Sequence, residues 1–130
     1  MGTLLGGLGA IILLLNAGAT PVAFTEVSGK DWPPAVRAWL GVNRVPATGV
    51  VHDVAYSYLL VAAGQKRSGG YSVRFTDVTS SDGKIVASAV VSEPGPRESV
   101  TMAITYPVAV ARIPRTALPV EIRVTAVPRT

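Results

Sequence analysis

The sequence contains no cysteine and only one histidine, and both shortages restrict the chemistry available to the protein. Without thiols there is no disulfide bond, thiolate metal site or lipid-modified cysteine. His52 precedes Asp53, and neighbouring residues on a strand point to opposite faces, so this pair is poorly placed for a proton relay. No serine lies in a Gly-x-Ser-x-Gly context, and the carboxylates are scattered. We therefore expect no catalytic residue, no metal site and no cofactor.

Charged residues are also scarce, at 15% of the chain, and they are not concentrated. Twelve basic against eight acidic residues give a net charge of +4, but only Lys66 and Arg67 are adjacent basic residues. A nucleic-acid-binding surface needs clustered cations to neutralise phosphates, often beside aromatic residues. We therefore do not expect nucleic acid as a partner.

No charged residue precedes Glu26, and the chain begins instead with an apolar run from Leu4 to Leu15. Ala17-Gly18-Ala19 follows as a small-x-small sequence, an order typical of a secretory signal peptide, although no basic residue precedes the run. The run is shorter than the roughly 20 residues of a membrane-spanning helix, which favours cleavage. We expect residues 1–19 to be a signal peptide or an N-terminal anchor, and residues 20–130 to form one domain.

This organisation predicts a protein that is secreted, periplasmic or attached to the cell envelope. Contact with the membrane is expected only through the N-terminal segment, if that segment is not cleaved.

One short helix is predicted from Asp31 to Gly41. Asp31 is a suitable N-cap, prolines are tolerated in a first helical turn, and Gly41 can end a helix in the left-handed region. Val36, Trp39 and Leu40 fall on one face, which predicts packing against a core.

Beyond the helix the apolar pattern changes to a period of two, which indicates β-strands. Six runs have this character, and Ser80 to Gly83 reads as a hairpin turn. The fold class predicted is mostly β (α+β): a compact antiparallel sheet or barrel-like domain of about six strands with one short N-terminal helix. The predicted strands cover residues 56–63, 71–76, 85–91, 100–105, 108–113 and 120–125.

The stretch Gly64-Gln-Lys-Arg-Ser-Gly-Gly-Tyr71 lies between two predicted strands. We do not expect a phosphate-binding loop, because Lys66 precedes the glycine pair and the following segment has the period of a strand. One interpretation is a simple turn, in which Gly69 and Gly70 allow positive φ angles. The other is a rigid loop that contacts a partner.

The run LLVAAGQKRSGGYSVRFTDV resembles the Gly-Gly-Tyr signature of the PrcB C-terminal domain family. Ser92-Glu-Pro-Gly-Pro96 is similar to the proline-glycine turn of that family, and Ile104 to Arg115 resembles its Thr-x-Pro strand with an Ile-Pro-basic ending. The predicted helix with its tryptophans also agrees. The resemblance extends over roughly Glu26 to Val127.

The family is named for a subunit of a secreted bacterial protease complex. The resemblance implies a non-catalytic domain that associates with, and stabilises, a subtilisin-like protease or its precursor. Two alternatives remain open. One is an envelope-associated structural domain without a protease partner. The other is a protease inhibitor like chagasin, whose loop also runs into Gly-Tyr but carries a Thr-Thr pair where this chain has Arg67-Ser68.

The predicted site is a protein-binding loop from Gln65 to Tyr71. The cationic pair is expected to attract a partner over a distance, the tyrosine to act as a flat interface anchor, and the glycines to allow close approach of the backbone. The residues concerned are Gln65, Lys66, Arg67, Ser68, Gly69, Gly70 and Tyr71.

Overall fold

The computed structural model describes residues 19–129, so the predicted signal segment lies outside the described residues except for Ala19. Within this range no helix is both long and apolar enough to cross a membrane. A 3₁₀ turn at Gly29–Asp31 precedes the single α-helix of the described part. The elements are β1 (Thr20–Pro21), β2 (Thr25–Glu26), α1 (Pro34–Val42), β3 (Ala47–His52), β4 (Tyr56–Ala62), β5 (Ser72–Ser81), β6 (Lys84–Glu93), β7 (Val108–Pro114) and β8 (Val120–Pro128).

The strands form two four-stranded sheets. Sheet A has the order β1-β5-β6-β8, and sheet B has the order β2-β7-β4-β3. All pairs are antiparallel except β6 with β8, which run parallel with Ile85 opposite Val120. The chain reaches β8 from β6 by way of β7, a strand of the opposite sheet. The predicted mostly β fold is confirmed, whereas the barrel-like closure is wrong: the two sheets stay separate.

The main core lies between the sheets. Leu59 and Val61 of β4 and Ala111 of β7 pack there against Phe75 and Ala87 of sheet A. The alternate residues of β4 and β7 point to the other face of sheet B, where Tyr58, Leu60 and Val110 pack against Val36 of α1. Sheet B is therefore covered on both faces, which explains why β4 reads as a continuous apolar run.

The structure has eight strands where six were predicted. Five of the predicted runs are β4 to β8, and β1, β2 and β3 were missed. The first two are only two residues long and lie in the extended lead-in, where Val22 and Phe24 pack onto the main core. The lead-in thus pairs first with β5 of sheet A and then with β7 of sheet B.

The sixth predicted run, residues 100–105, is not a strand. Only one bridge is formed there, between Thr105 and Lys66. The alternation of Val100, Met102 and Ile104 suggested an inward face, but Met102 is 85% exposed and Ile104 is 58% exposed. The apolar alternation predicted a strand with its apolar side in the core, and both parts of that assignment were wrong.

The helix was placed correctly and its ends were not. It begins at Pro34, after Pro33 as N-cap, because two consecutive prolines favour extended backbone before the first helical turn. Asp31 lies in the preceding 3₁₀ turn and caps nothing in α1. The helix continues through Gly41 to Val42, and the Asn43 Nδ2 group donates a hydrogen bond of 2.8 Å to the Trp39 carbonyl.

Candidate functional site

The predicted loop connects β4 of sheet B to β5 of sheet A and lies along the segment of residues 100–106. Lys66 and Thr105 exchange backbone hydrogen bonds of 2.9 and 3.0 Å, and the Gly69 N–H donates to the Thr101 carbonyl at 2.9 Å. The Thr105 hydroxyl donates to the Ser68 carbonyl at 2.8 Å. Because so many of its polar backbone groups are paired, the loop has a defined conformation.

Gly70 lies at the centre of a second group of contacts. Its φ of +91° confirms the predicted positive φ, whereas Gly69 does not adopt one. A Cβ atom at Gly70 would lie 2.6 Å from Val100 Cγ1 and 3.0 Å from Pro94 Cβ. The glycine therefore provides space as well as conformational freedom, and it places the Gly-Gly-Tyr stretch against the proline-glycine turn.

An ion pair lies beside Gly70 as well. Arg129 Nη2 donates to the Gly70 carbonyl, and Arg129 Nε lies 2.8 Å from Glu98 Oε1. The Glu98 carboxylate also accepts a hydrogen bond of 2.9 Å from the Gly95 N–H. The guanidinium of Arg129 and, after it, this N–H lower the pKa of Glu98 to about 2. The loop is thus tied to two further parts of the chain.

The predicted contact residues differ in their access to solvent. Gln65, Arg67 and Gly70 are exposed, and the other members of the loop are partly buried. Lys66 Nζ lies 5.4 Å from the centre of the Tyr71 ring, so its ammonium group sits over the aromatic face. Gln65 and Arg67 are therefore the side chains of the loop most accessible to solvent, while Tyr71 exposes only part of its ring.

The sequence analysis missed the exposed apolar residues of the neighbouring segment. Met102, Ile104 and Tyr106 are 85%, 58% and 40% exposed. The loop holds this segment by the backbone hydrogen bonds described above, and the Tyr106 hydroxyl donates to Gln65 Oε1 at 3.3 Å. Two features of the sequence could have indicated that these residues are exposed. The apolar residues alternate, and Pro94, Pro96 and Pro107 flank the short run, which disfavours a central strand there. We call the exposed parts of residues 65–71 and 100–106 the loop surface.

His52 and Asp53 contact different groups and not each other, in agreement with the expectation from sequence. His52 Nδ1 lies 2.7 Å from the hydroxyl of Ser57, which is completely buried and also accepts the Thr116 N–H at 3.1 Å. Asp53 Oδ1 instead accepts the N–H groups of Ala55 and Tyr56, at 2.9 and 2.8 Å, in the turn before β4. The Tyr56 N–H is the main cause of the lowered pKa of Asp53. These contacts hold together the end of the molecule opposite the loop surface.

In the part of the chain that the structure describes, no three histidine or acidic side chains are close enough to hold a metal ion. Three ion pairs are formed among residues 19–129: Lys84 and Arg123 each contact Glu121 at 2.7 Å, and Arg129 contacts Glu98.

Residues 57–114 match the family model described as PrcB C-terminal. The resemblance noted in the sequence is confirmed over this segment, a little under half of the chain, which includes the first two stretches quoted for it and the third as far as Pro114, one residue short of Arg115. The segment runs from β4 to the end of β7 and contains the complete loop surface. The match is shorter than the expected range, since α1 and β8 lie outside it. No curated protein and no solved structure matches the chain.

Proposed function

We propose that this chain is an exported, non-catalytic domain that binds a secreted subtilisin-like protease and stabilises it through the loop surface. The observation that carries the proposal is the exposure of Met102 and Ile104 on a segment that is hydrogen-bonded to the Gly-Gly loop. Apolar side chains held on a fixed backbone in this way favour association with another protein.

The composition of the loop surface supports a protein partner. Methionine, tyrosine and arginine are enriched in protein interfaces, and here Met102, Tyr106 and Arg67 are all exposed. The hydrogen bonds between the loop and the 100–106 segment reduce the conformational entropy lost on binding. The charge of Arg67 favours encounter with an acidic surface.

The family match supports the choice of partner. The PrcB C-terminal family takes its name from a subunit of a secreted protease complex, and its model covers the loop surface from end to end. A subunit that stabilises a protease needs a binding surface and no catalytic groups of its own. Export agrees with the apolar N-terminal run of the sequence.

The test uses the full chain and the subtilisin-like protease encoded nearest to its gene. We expect a 1:1 mixture to keep proteolytic activity longer on heating than the protease alone, because a ligand that binds only the folded state stabilises it. The double variant Met102→Ser/Ile104→Ser should lose this protection. Val54→Ser is the matched control, since Val54 is 94% exposed in the turn between β3 and β4, away from the loop surface.

The same assay separates the alternatives. Immediate loss of proteolytic activity in proportion to added chain would contradict the proposal and indicate an inhibitor. The absence of any complex, with the chain retained in the envelope fraction, would contradict it in favour of a structural domain. Equal loss of protection in the Val54→Ser variant would show that the loop surface is not the contact.

A further inference from the structure

A cleft lies beside the loop surface, between α1 and the ends of β4 and β7. Its volume is about 370 Å³, and Trp32, Leu40, Pro107 and Val108 contribute apolar walls. This volume lies at the lower end of the range of small-ligand sites, so the cleft has room for one or two side chains and not for a helix. Tyr106 lines the cleft and also contacts Gln65, which places the cleft next to the predicted loop.

The charges around the cleft are all of one sign. Arg37 and Arg44 line it, and no acidic residue does. Neither arginine takes part in an ion pair within residues 19–129. The cleft therefore combines an apolar interior with two cations that have no acidic partner in the described chain.

The donors of both arginines remain largely available. The Arg44 guanidinium lies 4.8 Å from the centre of the Tyr106 ring, and stacking on a ring face leaves the in-plane N–H groups free. Arg37 Nη2 donates one hydrogen bond, at 3.3 Å, to the Lys30 carbonyl, out of five N–H donors on the group. Both groups are thus held in place and still able to bind a carboxylate.

We propose that this cleft binds an acidic peptide segment of a partner protein. An aliphatic or aromatic side chain of the peptide enters between the apolar walls, and carboxylates on either side of it contact Arg37 and Arg44. Arg37 lies on α1 and Arg44 lies just beyond its end, so the two cations come from different positions on the wall of the cleft. The proposal rests on the proposed protein-binding role and specifies the chemistry that the cleft recognises.

A phosphate group fits this cleft less well than carboxylates do. The end of α1 that reaches the cleft is its C-terminus, at Leu40 and Gly41, where the helix dipole carries partial negative charge. This field opposes a doubly charged group more than a singly charged one. The glycine-rich loop and helix N-terminus that usually hold phosphate are absent from the lining of the cleft.

The experiment titrates the full chain with the peptide acetyl-Gly-Glu-Leu-Glu-Gly-amide. Binding is measured by tryptophan emission, because Trp32 lines the cleft, and by amide chemical shifts that locate the contact. We expect saturable binding that weakens about fivefold or more when both glutamates are replaced by glutamine or when leucine is replaced by alanine. The shift changes should concentrate in residues 37–44, 62–64 and 106–108.

Variants of the chain provide the second arm. Arg37→Gln/Arg44→Gln should weaken binding about tenfold, and Arg74→Gln should leave it within about twofold. Arg74 is a suitable control because it is exposed on β5 of sheet A, far from α1. Binding of a Lys-Leu-Lys peptide with equal affinity, or equal weakening by Arg74→Gln, would overturn the proposal. So would the absence of saturation at millimolar peptide.

The outcome is separate from that of the proposed function because the titration needs no protease. If protease stabilisation depends on Met102 and Ile104 while the peptide does not bind, only the cleft proposal fails. If the peptide binds as expected and no protease associates with the chain, the protease role fails and the cleft remains a peptide site.

Discussion

Two glycine turns of this domain look alike in sequence and differ in their surroundings. In the hairpin between β5 and β6, Asp82 and Gly83 have φ angles of +51° and +76°, and a Cβ atom at Gly83 would meet nothing within 4 Å. In the loop between β4 and β5, Gly69 and Gly70 are surrounded by Thr101, Val100 and Pro94. The hairpin needs glycine for conformation alone, whereas the loop also needs the space.

The two turns differ in what they connect, and this decides which of them contributes to an exposed apolar surface. The hairpin joins adjacent strands of one sheet, and its turn residues Asp82 and Gly83 are exposed. The Gly-Gly loop passes between sheets, and residues 100–106 pair with it instead of entering the core. Because that segment is held from one side, its apolar side chains remain exposed to solvent.

The largest effect is expected from Gly70→Val. A β-branched side chain is strained at a φ of +91°, and its Cβ would lie 2.6 Å from Val100 Cγ1. The backbone strain and the steric overlap with Val100 should together lower the free energy of unfolding by about 3 kcal/mol or more. Urea denaturation of the variant and the parent measures the difference. A loss below about 1 kcal/mol would show that the loop is as unconstrained as the hairpin.

Gly69→Ala should have a smaller effect, of about 1–3 kcal/mol. Its φ is not positive, so the loss comes from one contact, the 2.6 Å approach of the new Cβ to Thr101 Oγ1. Thr101→Ala removes that oxygen and should restore most of the lost stability in the double variant. A double-mutant cycle checks the coupling, and additive losses would exclude this contact as the cause.

Gly83→Ala should lower stability by about 1 kcal/mol, from the left-handed backbone only. No neighbouring atom lies within 4 Å of the added carbon, so no second substitution is expected to rescue the variant. The same urea series measures it. A loss equal to that of Gly70→Val would remove the proposed difference between the two turns.

The stability contributed by the contacts around Gly70 should also depend on pH. The folded-state pKa of Glu98 is lowered to about 2 from an ordinary value of 4.5, so its ion pair with Arg129 contributes stability above pH 4.5. This contribution should be lost as the pH falls from about 4.5 towards 2. Glu98→Gln should therefore reduce the acid dependence of the urea midpoint over that interval.

The control for the pH experiment is Glu121→Gln. Arg123 and Lys84 lower the pKa of Glu121 to about 2 as well, but these two ion pairs lie on β6 and β8. Both variants should flatten the acid dependence, and only Glu98→Gln should reduce the hydrogen-exchange protection of the Gly69 amide. Equal protection in the two variants would contradict the link between Glu98 and the loop.

The smallest effect is expected from Lys66→Ala/Arg67→Ala. Arg67 is exposed, and the ammonium of Lys66 lies over Tyr71 without an acidic partner in the described chain. The melting temperature should remain nearly unchanged, since exposed charges contribute about 0–1 kcal/mol each. A large fall in melting temperature would assign the two side chains to the structure of the loop and not to binding.

Most of the strand content follows from local sequence. The apolar run of β4, the alternation of β5 and β6 and the Asp82-Gly83 turn each predict what the structure contains, because burial and turn conformation act through neighbouring residues. The short strands β1 and β2 do not, because each has two residues and is defined by its partner in another part of the chain. The parallel pairing of β8 with β6 could not be predicted either, because it also depends on a partner strand distant in the sequence.

The candidate site was predicted in part for the same reason. The glycine pair, the two cations and Tyr71 mark a loop in the sequence, and Gly70 has the predicted positive φ. Sequence pattern did not reveal that residues 100–106 lie beside this loop, because an alternating run has the same pattern whether its apolar side meets a core or solvent. The proximity of Arg44 to Tyr106, 62 positions apart in the chain, has no local signal at all.

The parallel pairing of β6 with β8 makes one connection a weak point of the domain. Ile85 and Val120 become neighbours only after the chain has added a strand to the other sheet, and such distant contacts form slowly. A single proteolytic cut within residues 115–119 would let β8 dissociate. The uncovered edge of β6, rich in alanine and valine, would then be free to pair with other chains, and aggregation would follow.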